Sequence, residues 1–261
     1  MLPHALERVP VWAGGWKEHG RLVLLLDFDG TLAPIVERPE LAAMPAATRA
    51  ALDRLRAMPG VEAAVVSGRG LADVRQRAGI PGIAYAGNHG MEIEGAGLHR
   101  MHPEAVAARP ALEAAARRIE PELARTPGAF LEDKGMTLSI HFRQSPADRH
   151  DDVRLAVERG AGAGLRVTSG KMVLEVRPRV AWDKGKAVLF LLDQMRPPPG
   201  APVLYLGDDR TDEDAFRALA GLGGAHEGVL IGDPRGETAA RSYLREPEEV
   251  GALFGALAGA A

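Results

Sequence analysis

The sequence predicts a doubly wound α/β protein, a parallel sheet with helices on both faces, that carries an inserted α+β module. Three observations predict it: four short apolar runs that each end in polar residues, helical periodicity between them, and a different pattern from about residue 100 to 179. In chain order, Leu22-Val23-Leu24-Leu25-Leu26 runs into Asp27-Phe28-Asp29-Gly30-Thr31, and 63–66 runs into Ser67-Gly68-Arg69. Further on, 203–206 runs into Gly207-Asp208-Asp209, and 229–231 runs into Gly232-Asp233. Continuous apolar runs of this length, bounded by Gly and polar turns, suit strands buried on both faces of a parallel sheet. Between the first two, 46–58 reads as a helix, with Ala51, Leu52, Leu55 and Met58 at helical spacing. Alternating strand and helix gives a doubly wound fold. Its site lies outside the carboxyl ends of the strands, where these polar residues gather.

The middle of the chain departs from this pattern. Residues 105–124 read as an Ala-rich helix interrupted by Pro110. Thr137-Leu138-Ser139-Ile140-His141-Phe142, 165–168 and 172–176 then alternate apolar and polar residues, as an antiparallel sheet with one wet face does. No repeats or low-complexity tracts appear, only a Pro-rich turn at 197–202 and an Ala/Gly-rich tail.

Composition narrows the function classes. A net charge of −3 offers no basic field for nucleic acid. The absence of cysteine removes disulfides, thiolate metal sites and cysteine nucleophiles. No apolar run reaches the roughly 18 residues needed to span a bilayer, and the first twenty residues lack a signal-peptide pattern, so a cytoplasmic protein is expected. Lys and Arg total 32, of which only five are Lys (17, 134, 171, 184 and 186). Two of the five fall in Asp183-Lys184-Gly185-Lys186.

Asp27 and Asp29, at i and i+2 on a loop leaving a buried strand, can face one small volume. Without a cation two such carboxylates repel, and Mg²⁺, which prefers oxygen ligands, resolves the conflict. Asp-x-Asp-Gly is equally an ordinary turn, and the spacing and terminal Glu of a calcium loop are missing. The stretch 207–214 holds five acidic residues. A helix N-terminus accounts for Glu213 and Asp214 but poorly for Asp208 and Asp209 at a strand end. Ser67 can hydrogen-bond a phosphate oxygen, and Gly68 lets the backbone come close. Lys184 supplies a compact positive charge for a phosphate, whereas Lys186 reads as a solvated helix-start lysine.

With Asp27, Ser67, Lys184 and Asp208 in this order on one α/β chain, the sequence resembles the haloacid dehalogenase (HAD) superfamily of phosphohydrolases. The strings DFDGTLAPI, VVSGR, YAGNHGMEIEG, EDKGMTLSIHFR, LEVRPRVAWDKGKAV and YLGDDRTDEDAF look like those of the trehalose-6-phosphate phosphatases within it. The resemblance runs from about residue 22 to 250; one departure is Asn88, where many relatives carry Ser. It implies a HAD-like, Rossmann-like core over 1–100 and 180–261, and an α+β substrate-specificity cap over 101–179 that opens and closes.

The resemblance also implies that Asp27 attacks phosphorus to form an aspartyl-phosphate, and that Asp29 serves as acid and then base. Mg²⁺ would be held by Asp27, the Asp29 carbonyl and Asp208, with Asp212 orienting the metal shell. Thr31, Ser67, Gly68 and Lys184 would hold the phosphoryl group. Sugar recognition would fall to Glu132, Lys134, Arg143 and Glu175 in the cap, with Asn88 and His89 at its junction with the core. For His141 a solvated sheet face is as good an account, and Trp182 reads as packing. The expected partner is a small sugar phosphate, with no nucleic acid or membrane and a monomeric chain. Two alternatives stay open: a phosphatase for another glycosyl phosphate (glucosylglycerol, mannosylglycerate or sucrose phosphate), and a phospho-accepting signalling protein.

Overall fold

The computed structural model describes residues 2–170 and 172–260. The chain divides into two compact units, Met1–His99 with Trp182–Ala261, and Arg100–Ala181.

In the first unit the chain runs through α1 (Ala5–His19), β1 (Leu22–Leu26), α2 (Ala46–Arg56), β2 (Val61–Val66), α3 (Leu71–Ala78), β3 (Ala84–Gly87) and β4 (Glu92–Gly95), and β5 (Leu98–Met101) spans the boundary between the units. In the second come α4 (Pro103–Ala107), α5 (Arg109–Leu123), β6 (Phe130–Asp133), β7 (Leu138–His141), α6 (His150–Ala161), β8 (Leu165–Gly170) and β9 (Val173–Pro178). The first unit resumes with α7 (Lys184–Met195), β10 (Val203–Gly207), α8 (Asp212–Leu222), β11 (His226–Ile231), β12 (Ser242–Leu244) and α9 (Glu248–Ala260).

The large sheet has the order β12-β11-β10-β1-β2-β3-β4-β5. It is parallel from β12 to β3, and β4 pairs antiparallel with β3. The four apolar runs are its four central parallel strands. Every residue of β1 is buried, and its alternate residues serve opposite layers. Leu22, Leu24 and Leu26 pack with residues of α1, α2 and α9, while Val23 and Leu25 pack with residues of α7 and α8. This two-faced burial is why the run is continuous rather than alternating. Strand order reverses between β1 and β10, so the crevice at their carboxyl ends is the natural site of this architecture.

Two local readings are corrected. The Ala/Gly-rich tail is α9, with Val250, Leu253, Phe254 and Leu257 buried on one helical face. Its glycines hid that periodicity, yet Gly251 is what lets α9 pack tightly on α2, since a Cβ there would sit 3.2 Å from the Thr48 Cα. Pro110 does not interrupt a helix. It stands in the first turn of α5, where the missing N–H costs nothing, and the break falls just before it, at Ala108.

The second unit is a four-stranded antiparallel sheet, order β6-β7-β9-β8, with α5 and α6 on one face. Leu138, Ile140, Leu174 and Val176 pack against Leu112, Ile119, Val153 and Val157 of the two helices. Residues of opposite parity form the other face. There Glu132 pairs with Ser139, Ser139 with Glu175, and Glu175 with Thr168, a polar row across all four strands. Among the described residues, no helix is long and apolar enough to cross a membrane.

Candidate active site

The site is built at the carboxyl ends of β1 and β10. The parallel ladder continues one step past β1, with the Asp27 amide donating to the Leu206 carbonyl at 2.9 Å. Asp27 therefore emerges beside Gly207 and Asp208. Phe28, fully buried, turns the other way into the core, so the loop presents Asp27 and then Asp29. Gly30 adopts φ 78°, and a Cβ there would overlap the Asp208 carboxylate, so both features require glycine.

Lys184, the first residue of α7, is 3% exposed. Its Nζ donates to Asp27 Oδ1 at 2.8 Å and to Asp212 Oδ1 at 2.7 Å. Asp212 opens α8 and is the organiser of the loop before it. Its Oδ2 accepts from the Asp208 and Asp209 amides, each at 3.0 Å, and its Oδ1 also accepts from the Tyr205 hydroxyl at 2.5 Å. Asp209 turns back on its own loop, accepting from the Thr211 amide and hydroxyl, both at 2.7 Å.

The electrostatics follow from this burial. Desolvation pushes the Asp27 carboxyl well above the usual carboxylate range; Lys184 pulls it down, and Asp212, Asp208 and Asp209 push it up again. Burial alone would discharge Lys184, but Asp212 and Asp27 outweigh it and hold the ammonium well above its ordinary value. Burial also raises Asp209, yet Lys184 and the bonds from Thr211 and Asp212 prevail and leave it below the usual range.

One oxygen each of Asp27, Asp208 and Asp212 lies within 4.8 Å of the others. An all-oxygen cluster of this kind fits a hard divalent cation, which would offset the desolvation and the repulsion that raise Asp27. Asp212 already accepts four bonds, two of them from the Asp208 and Asp209 amides, so as a direct ligand it would have to share oxygens that already hold the loop. The Asp29 side chain does not join the cluster. Both its oxygens are taken by Arg69, Oδ2 by Nε at 2.6 Å and Oδ1 by Nη2 at 2.7 Å. What Asp29 can offer a cation is its backbone carbonyl.

Two buried hydroxyls stand on the loops that follow β1 and β2. Thr31 is fully buried, and its Oγ1 finds no hydrogen-bond partner among the described residues. Ser67, also buried, accepts from the Arg69 amide at 3.2 Å, which leaves its O–H to donate. The loop 67–69 is shaped from below by Asn88 and His89, both left-handed at φ 49° and 57°. Their amides donate to the Arg69 and Ser67 carbonyls at 2.7 and 2.8 Å, and the His89 ring packs against Gly68.

In the second unit Glu132 sits on the polar sheet face and is hydrogen-bonded to His141 Nε2 at 2.8 Å, with Phe130 stacked on the same imidazole. Glu175 lies two strands away in the same row, with Arg177 Nη1 at 3.4 Å. Lys134 extends the ladder past β6 through its amide, which donates to the Thr137 carbonyl. Arg143 is exposed in the loop after β7. Two contributors escaped the sequence reading, Arg69 and Tyr205. Each carried a signal: Arg69 follows Ser67-Gly68 directly, and Tyr205 puts a hydroxyl into an otherwise apolar buried strand.

The fold is that of HAD-type hydrolases. It matches a haloacid dehalogenase-like hydrolase from Bacteroides thetaiotaomicron with a TM-score of 0.63 at 16% identity, over 90% of this chain and 98% of that one. More specifically, the sequence signature of the Trehalose-phosphatase family matches residues 25–248, and the chain belongs to that family. The C-terminal domain of the Candida albicans trehalose-6-phosphate phosphatase superposes with a TM-score of 0.83 at 26% identity, covering 99% of this chain and 98% of that one. The trehalose-phosphate phosphatase of Mycobacterium marinum is 43% identical over 91% of this chain. This chain spans 62% of the length of that relative.

Proposed function

We propose that this chain hydrolyses trehalose 6-phosphate to trehalose and phosphate through an aspartyl-phosphate on Asp27, with Mg²⁺ at the carboxylate cluster. The observation that carries the chemistry is the Lys184-held Asp27 carboxylate beside Asp208, at the switch point of the sheet. The substrate rests on the family and on the names of the relatives above.

Lys184 fixes the rotation of the Asp27 carboxylate, so that one oxygen is presented to phosphorus. As Asp27 attacks, the bond from phosphorus to the sugar oxygen breaks, and Asp29 gives that oxygen a proton. Asp29 then takes a proton from the water that attacks the aspartyl-phosphate, and phosphate leaves. The Thr31 and Ser67 hydroxyls donate to the phosphoryl oxygens, which also explains a buried hydroxyl without a protein partner. Bound by Asp27, the Asp29 carbonyl and Asp208, Mg²⁺ would neutralise charge on the transferring group. Glu132, Lys134 and Glu175 are proposed to read sugar hydroxyls, a task suited to charged side chains, with Arg143, Asn88 and His89 in support. The proposed setting is the cytoplasm, with the chain acting as a monomer and the second unit as its substrate-specificity cap.

The test is phosphate release from trehalose 6-phosphate by the wild type and Asp27→Asn, with Mg²⁺ or EDTA. Glucose 6-phosphate, sucrose 6-phosphate and glucosylglycerol phosphate serve as competitors. Metal-dependent preference for trehalose 6-phosphate, falling by at least about a thousandfold in the variant, is expected. Preference for another sugar phosphate would keep the mechanism and replace the substrate. No metal-dependent release from any of them would overturn the enzyme reading.

A further inference from the structure

Arg69 is buried, and all three nitrogens of its guanidinium are hydrogen-bonded. Nε and Nη2 take the two oxygens of Asp29, Nη1 donates to Asp73 Oδ2 at 2.6 Å, and Nη2 also donates to the Pro39 carbonyl at 2.9 Å. The group lies 5.5 Å from the centroid of the Phe28 ring. Asp73 is held in turn by Arg77, whose Nε donates to Oδ1 at 2.7 Å, and Arg77 Nη1 donates to the Glu40 carbonyl at 2.7 Å. The arginine is thus anchored to α3 and to the strap around 39–41 independently of Asp29.

Asp29 has no comparable support. Its side chain is 34% exposed, and among the described residues Arg69 is the side chain that bonds its carboxylate. A group that transfers a proton to a leaving oxygen must sit within hydrogen-bond reach of it, and a displacement of about 1 Å costs up to about a hundredfold. A bidentate fork fixes both the position and the plane of a carboxylate, which a single-point contact cannot do.

We propose that Arg69 is the positioning residue for Asp29, an anchored fork that sets where the acid–base carboxylate of the reaction stands. The inference rests on the phosphatase reading given above and assigns a role to a residue outside the metal cluster and the phosphoryl-holding set. It makes a specific demand on the chemistry. Positioning of Asp29 matters when the leaving oxygen needs a proton, as a sugar alkoxide does. It matters little when the leaving group departs as a stable anion, as nitrophenolate does.

The experiment compares kcat/KM for trehalose 6-phosphate and for para-nitrophenyl phosphate in the Mg²⁺-loaded full chain. The variants are Arg69→Gln, Arg69→Lys, Asp73→Asn, Asp29→Asn and the Arg69→Gln/Asp29→Asn double variant. kcat/KM covers the steps up to phosphoryl transfer, so it reports the proton-donating half of the cycle. Arg69→Gln is expected to lose about ten- to a hundredfold with the sugar phosphate and less than about threefold with the aryl phosphate. Arg69→Lys should recover part of the loss, and Asp73→Asn should show the same pattern more weakly. The double variant should be no worse than Asp29→Asn alone, because two residues acting as a unit are non-additive. Equal losses with both substrates, or losses that multiply in the double variant, would overturn the proposal and leave Arg69 as a structural staple. Should Arg69→Gln fail to fold, Asp73→Asn and Arg69→Lys decide by the same substrate ratio. A wild type inactive on both substrates would instead sink the phosphatase reading itself.

Discussion

The two units of this chain hold ion pairs of similar length under opposite conditions. In the first, Lys184 reaches Asp27 at 2.8 Å and Asp212 at 2.7 Å, with the three side chains 3%, 5% and 0% exposed. In the second, Arg109 forks Asp133 at 2.6 and 2.7 Å, with side chains 37% and 36% exposed. Distance does not rank them; burial does. An exposed pair is worth about 0–1 kcal/mol because water competes for both partners. A buried one must first overcome the loss of hydration, and apolar residues of the same volume often do as well or better for stability. Two carboxylates and an ammonium kept dry at a strand end are therefore poor stabilisers, and their presence points to chemistry.

The largest effect that would sharpen this contrast is expected from Lys184→Met. The substitution preserves much of the side-chain volume but strands Asp27 and Asp212 without their shared counter-ion. Breaking a buried pair in this way costs about 3–5 kcal/mol. Urea unfolding in EDTA should show a loss of that size, and added Mg²⁺ should restore part of it, because a cation at the cluster supplies the missing charge. A change below about 1 kcal/mol in EDTA would mean that the carboxylates rehydrate easily, and the contrast between the units would collapse.

Much of this contrast was legible in the sequence, for a definable reason. A strand buried on both faces leaves a continuous apolar run, so the polar residue that ends it is placed at the sheet's carboxyl edge by chain geometry alone. That placed Asp27, Ser67 and Asp208 at the strand ends, and the crossover order brought Asp27 and Asp208 together. Lys184 was legible as a charge for a phosphate and Lys186 as a solvated helix-start lysine, but the near-complete burial of Lys184 was not, because it depends on the strands and helices packed around it. The fork between Arg69 and Asp29 depends on side-chain rotamers 40 residues apart. The short strands β4 and β5 lack an apolar run, since Glu92-Ile93-Glu94-Gly95 and Leu98-His99-Arg100-Met101 take their order from neighbours, while β3 rests on one short buried stretch, Ile83-Ala84-Tyr85-Ala86. In the second unit, alternation gave the sheet and its polar face, but not that Ser139 and Arg177 on that face are buried rather than wet, and alternation cannot say which polar residue meets a ligand.

A smaller effect is expected from Tyr205→Phe. The ring, packed edge-on against Phe216 at 5.8 Å between centroids, would stay in place. The hydroxyl that donates to Asp212 would be lost. Asp212 keeps Lys184 and two backbone amides, so the loss in stability should be about 1 kcal/mol. Because Asp212 orients the Asp208 loop, metal affinity should fall by about tenfold, measured by Mg²⁺ titration of the thermal midpoint. Unchanged affinity would mean that the amides alone set the loop, and that the buried hydroxyl serves packing.

The smallest effect belongs to the exposed pair. In Arg109→Gln the fork to Asp133 is lost, but both sites are open to water, so unfolding at neutral pH should shift by less than about 1 kcal/mol. The pair should still leave a trace in acid. The hydrogen bonds from Arg109, followed by the Gly135 amide and the charge of Arg109, outweigh partial burial and hold the Asp133 carboxyl below the usual range in the folded chain. A carboxyl depressed on folding adds stability above its unfolded pKa, and that contribution fades as pH falls through the folded value. The difference between wild type and Arg109→Gln should therefore be present at neutral pH and vanish in strong acid. Urea midpoints taken across that range would show it. A loss at neutral pH as large as that of Lys184→Met would mean that solvent exposure does not govern these pairs, and the comparison between the two units would fail at its premise.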